Sequence, residues 1–346
     1  MARRLADPAA LAYALDGRCT AIFWPENTGE RMALATELVY LAEEIGEQER
    51  VTMGRYLRAM FSLELADMAT VKAELETVAR LARELKQPAW LWMLVATQAT
   101  VALFEGRFSQ GEDLMEEALA LGQRAQGADA ALSYSIHQFT LHWQRGEIEG
   151  LVEILARSAE EYPARPMLRC MLARLYADLS HEADARRVFE DLAADDFGSL
   201  PRTNEWLLSL GFLADVAEYL GETDRARTLY ELLSPYAARN ACTADYISTG
   251  SVSRPLGVLA ATLAHWQAAE RHFEDALEIN TRMGARPWVA HTQHDHARML
   301  LARGQAGDRQ RASQLLASCL ETFRELGMER FACDAVSLAS TPNATG

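Results

Sequence analysis

The sequence predicts an all-α fold, a right-handed tandem solenoid of about eight helix pairs. Three observations predict it. Glycine and proline are scarce, 20 and 10 in 346 residues, which favours helix over turn-rich sheet. A pattern of small and large apolar residues recurs along the whole chain. No internal run alternates Val, Ile or Thr in the way a half-buried strand requires.

The repeat can be followed from the N-terminus. The amphipathic run Arg31 to Ile45 begins a first unit near Met32. The next, a weak copy, has Ala59, Ala66, Val71 and Leu75. Then Ala99 and Gly106 precede Gly111, Met115 and Ala118. Phe139 and Gly146 precede Leu151 and Leu155, and Pro163 closes that unit. The clearest copy is Leu172-Ala173-Arg174-Leu175-Tyr176 followed by Ala185 and Phe189. Leu213-Ala214 and Gly221 lead to Ala226 and Tyr230. Leu256-Gly257 leads to Ala269, Phe273 and Ala276, and Ala297 and Gly304 lead to Ala312 and Leu316.

A small residue on each helix lets two backbones approach, and the following aromatic fills the space between neighbouring pairs. This is the tetratricopeptide pattern. The second-helix anchors at 71, 111, 151, 185, 226, 269 and 312 are separated by 40, 40, 34, 41, 43 and 43 residues. Gly46, Gly122, Gly284 and Gly327 are expected helix stops, and Asp129, Asn204 and Asp308 expected N-caps. Residues 236–255 are the most irregular stretch, expected as a long loop or a helix starting near Ser251. The solenoid is expected over residues 1–337, with 338–346 a disordered tail.

Composition narrows the function. The net charge of −15 speaks against a protein that neutralises nucleic-acid phosphates or docks on anionic lipid. Only Lys72 and Lys86 are lysine, and the Arg and Ala bias fits GC-rich bacterial coding. Five scattered cysteines without a CxxC pair fit a reducing cytoplasm. No secretory signal is expected, and no stretch approaches the ~20 apolar residues of a membrane span.

The chain resembles the C-terminal tetratricopeptide region of bacterial multidomain signalling ATPases, the LuxR-type and maltose-regulator-type transcription factors and the class III nucleotide cyclases with repeat domains. The resemblance is carried by Gly284-Ala285-Arg286-Pro287-Trp288-Val289-Ala290-His291-Thr292-Gln293 and its continuation through Gly304. Leu103-Phe104-Glu105-Gly106-Arg107-Phe108, Tyr230-Glu231-Leu232-Leu233-Ser234-Pro235-Tyr236 and Leu256-Gly257-Val258-Leu259-Ala260-Ala261 add to it. It spans about residues 3 to 330. Those relatives place an ATPase module before the repeats, whereas G-x-x-x-x-G-K-[ST] is absent here, and no stretch beyond residue 330 is long enough for a helix-turn-helix domain. The resemblance therefore implies a receptor segment or stand-alone repeat protein, without ATP hydrolysis, DNA binding or cyclisation.

Candidate site residues follow from the repeat register. First-helix positions facing the groove are Trp143, Arg174, Asp215, Arg254, His291, His294 and Arg298, with Thr140, Asp178 and Glu218 beside them. Such a mixture suits an anionic or aromatic small ligand, or a peptide. The alternative is a solvated polar face. His291, His294, Asp295 and His296 resemble a metal cluster, but His296 points about 100° per residue off the face of the others and the H-E-x-x-H spacing is missing, so no metal is assigned. The tryptophans read mainly as packing residues. Neither a G-x-S-x-G elbow nor a Cys–His motif is present, so no catalytic residue and no cofactor is assigned.

The expected function is a cytoplasmic, non-catalytic repeat scaffold, the sensor segment of a signalling or transcriptional regulator. Its groove would capture a protein partner, such as an ATPase effector module, or a small molecule, with no nucleic acid or membrane. One alternative is a receptor for an anionic or aromatic ligand. Another is an enzyme with its site near Arg254, His291 and His294.

Overall fold

The computed structural model describes residues 7–125, 127–243 and 245–340. It is all-α apart from one short hairpin. Seventeen α-helices run in order among the described residues: α1 Pro8–Ala21, α2 Thr28–Ile45, α3 Gln48–Glu64, α4 Met68–Leu85, α5 Pro88–Glu105, α6 Phe108–Gly122, α7 Gly127–Arg145, α8 Leu151–Glu161 and α9 Met167–Asp178. They continue with α10 Glu182–Leu192, α11 Trp206–Leu220, α12 Thr223–Leu233, α13 Ser253–Thr262, α14 Trp266–Met283, α15 Arg286–Arg303, α16 Asp308–Glu325 and α17 Glu329–Ala339. No helix among the described residues is long and apolar enough to cross a membrane.

All seven anchor residues fall on even-numbered helices, from Val71 on α4 to Ala312 on α16, and all seven are buried. Small residues on either helix of a pair allow close approach. A Cβ on Gly111 would sit 2.6 Å from Leu103, and one on Gly257 would sit 2.7 Å from the Phe273 ring. Each helix packs on the next, and odd-numbered helices also touch one another two places along, α5 on α7, α9 on α11, α11 on α13 and α13 on α15. With α5 also touching α15, the odd-numbered helices from α5 to α15 thus share an inner layer.

Helix ends follow local chemistry. Gly46 and Gly284 close α2 and α14 in the left-handed conformation, as expected. Gly122 instead ends α6 from within, against Trp92 and Ala130. Asp7 and Asp67 are the carboxylates that accept N-terminal amides, on α1 and α4. The expected caps lie differently: Asp129 and Asp308 are inside the first turns of α7 and α16, and Asn204 precedes α11, whose cap position is Glu205. Helix α17 extends to Ala339, into the stretch expected as a disordered tail; residues 341–346 lie outside the described residues.

The irregular stretch is neither a loop nor a late helix alone. Two antiparallel strands, β1 Asn240–Thr243 and β2 Ile247–Ser251, form a hairpin, and α13 begins at Ser253 directly after it. The expectation of no strand fails here for a physical reason. This hairpin is enclosed by helices and held by side-chain amides and hydroxyls, so it needs no apolar–polar alternation. Asn240, wholly buried, donates from Nδ2 to the carbonyl of Leu63 at 3.1 Å and to Ser248 Oγ at 3.0 Å. The amide of Ser251 donates to Asn280 Oδ1 at 2.9 Å, and Ser133 Oγ to the carbonyl of Asp245 at 2.6 Å. The hairpin touches α3, α5, α7, α11 and α14, so it lies against the inner odd-numbered layer.

Candidate functional site

The inner layer brings the expected groove residues together. Trp143 on α7 donates from Nε1 to Asp178 Oδ2 at 2.7 Å. Arg174 on α9 holds Asp178 Oδ1 at 3.1 Å from Nε and also bonds Asp215 of α11. Arg254 on α13 meets both oxygens of Asp215, at 3.1 and 3.2 Å, and Asp295 of α15 at 2.9 Å. Arg298 pairs with Asp295 at 3.3 Å and Glu218 at 3.2 Å. Arg330, on α17, reaches Asp178. Four guanidinium groups therefore face four carboxylates in one continuous ladder.

The ladder is largely dry. Side chains of Arg254 and Asp295 are each 8% exposed. In such surroundings a charge survives only when paired. Burial works to raise the pKa of Asp295, but Arg254, the His294 hydrogen bond and Arg298 outweigh it and hold the carboxyl well below its usual range. Burial likewise disfavours charged Arg174, and Asp178 and Asp215 more than offset it. Glu218, at the outer end, is raised by burial against the pull of Arg298.

The histidines do not converge. His291 sits among rings, with Trp143 at 5.3 Å, Trp288 at 5.2 Å and Phe331 at 4.5 Å, and its Nε2 lies 3.0 Å from Gln144 Oε1. Burial and then Arg254 push its pKa well below the ordinary imidazole value. His294 lies beside the ladder, its Nδ1 3.6 Å from Asp295. His296 stacks on Phe273 at 5.4 Å on another face, as its position in the helix predicts. No group of three or more His, Cys, Asp or Glu among the described residues is arranged to hold a metal ion.

The space around these residues decides what they can hold. Trp143, Arg174, Asp215 and Arg254, with Trp288 and the hairpin, enclose a cavity of about 20 Å³, room for one water and no ligand. Arg298, Glu218 and Asp295 border a separate cavity of about 160 Å³ with Trp266, Phe273 and Met299. Thr140 is bonded to the Ile136 carbonyl of its own helix. The expected groove is thus filled over this stretch by the chain's own hairpin and ion pairs. Arg330, Phe331 and Gln144 were invisible to the repeat register because they come from the last helix or from a packing position.

No protein-family model matches the chain, and no curated protein matches it. Among solved structures, the crystal structure of BtubC (BKLC) from P. vanneervenii is similar over 59% of this chain and 95% of that one, at 17% identity and a TM-score of 0.32. A likeness that loose bears on neither fold nor function.

Proposed function

We propose that this chain is a tetratricopeptide-type solenoid, a right-handed superhelix, serving as the non-catalytic sensor segment of a cytoplasmic bacterial signalling or transcription regulator. It binds a protein partner, such as an ATPase effector module, and passes that event along the stack as a change in curvature. The solenoid reading is supported by the seven buried anchors on alternate helices and the shared inner layer. The observation that carries the non-catalytic reading is the ladder. The polar groups that a groove enzyme would need are paired with one another, and His291 is 5% exposed inside an aromatic cluster.

Small-molecule capture is the second reading, favoured by the 160 Å³ cavity and by Arg298, whose side chain is 40% exposed there. The primary test is co-precipitation of the chain with a candidate ATPase effector module, together with turnover assays on nucleotides and esters. Binding without turnover is expected. Turnover that disappears in the paired variant His291→Ala with His294→Ala would replace this reading with the enzyme one.

A further inference from the structure

We infer that the cleft between α7, α8 and α9 is a binding site for a small uncharged apolar molecule. Other helix pairs pack along their lengths, as α5 does on α6 and α15 on α16, but α8 leans on α9 and barely touches α7. The gap leaves a cavity of about 330 Å³, within the range of small-molecule sites. Its walls are Leu132, Ile136, Phe139, Leu151, Leu155 and Met171. Ile154 stands at the mouth, 53% exposed, on a helix whose Leu151 and Leu155 are buried.

The polar residues of the cleft define the occupant. Ser135 Oγ donates to the Ala131 carbonyl and Ser158 Oγ to that of Ile154. Gln138 Nε2 donates to the Tyr134 hydroxyl at 2.9 Å, and His142 Nδ1 lies 2.7 Å from Glu147 Oε2. Glu147, the one carboxylate of the lining, is thus held by His142. An ionised ligand group would be buried there without a partner, which is costly, whereas an apolar body gains from every wall. A partner helix, about 10 Å across with its side chains, calls for an open stripe rather than a pit of this size. The cleft shares no residue with the charge ladder, so this inference does not rest on the partner-binding reading.

The test titrates the intact chain with N-phenyl-1-naphthylamine, an uncharged fluorescent probe, and with its sulfonated analogue 1-anilinonaphthalene-8-sulfonate. One uncharged probe per chain is expected to bind, at least tenfold more tightly than the sulfonate. Ser158→Trp, which fills the mouth, and Ile154→Glu, which places a charge there, should each weaken it at least tenfold with the far-ultraviolet circular dichroism unchanged. Ile154 is exposed, so that variant decides the matter even if Ser158→Trp perturbs folding. Absence of probe binding, equal binding of the sulfonate, or unchanged binding in Ile154→Glu overturns the inference.

Discussion

Asp215 is the carboxylate on which two buried guanidinium groups depend, Arg174 and Arg254. Asp215→Ala should lower stability by about 3–5 kcal/mol in urea unfolding, because it strands buried charge. Arg298→Ala, partly exposed, should cost within about 1 kcal/mol. His296 offers the opposite case. Neither of its ring nitrogens has a hydrogen-bond partner among the described residues, and it is 2% exposed. His296→Phe should keep the stack on Phe273 and stabilise by about 1 kcal/mol at pH 7. Burial pushes the His137 imidazole down to about 3 and that of His296 to about 4. In the unfolded chain both titrate near 6.5, so the unfolded state takes up protons that the folded state refuses. Stability is therefore full above about pH 6.5 and falls as the pH drops toward 4. Melting temperatures at pH 7, 6 and 5 should decline, and less steeply in His296→Phe. The sequence register assigned Arg174, Asp215 and Arg254 to one groove face. It did not reveal that they face each other, because pairing depends on the distance between units rather than on position within one.

At the scale of elements, the helix pairs were legible because small-against-large packing is local. Ala226 and Tyr230 stand four residues apart, as do Ala269 and Phe273. The hairpin was not, since its strands are held by Asn240, Ser248 and Asn280, residues that carry no strand periodicity. Nor was the docking of α17 on α7, where Phe331 meets Trp143 at 5.1 Å. Gly250 shows how closely the hairpin fits. Its φ is +80°, and a Cβ there would lie 2.9 Å from Asn280 Oδ1 and 3.0 Å from Trp288 Cβ. Gly250→Ala should destabilise by about 2 kcal/mol or more, read as a lower urea midpoint with the helical circular dichroism retained below the transition.

At the scale of the molecule, the proposed solenoid would ordinarily unfold unit by unit, because each unit of such a stack touches only its neighbours. Here the ladder ties α9, α11, α13, α15 and α17 together, and the hairpin bridges α3 to α14. Tryptophan fluorescence and far-ultraviolet circular dichroism should therefore report one coincident urea transition. In Asn240→Ala combined with Asp215→Asn the two should separate. The hairpin also fixes an order in time. The Leu63 carbonyl takes a local bond from the Ala66 amide, but its second donor, Asn240, emerges 177 residues later. At ribosomal rates of about 5–20 residues per second, that interval is roughly nine to thirty-five seconds. During that interval the nascent inner layer stands open, and a chaperone or a co-translational partner meets a surface that the finished protein no longer presents.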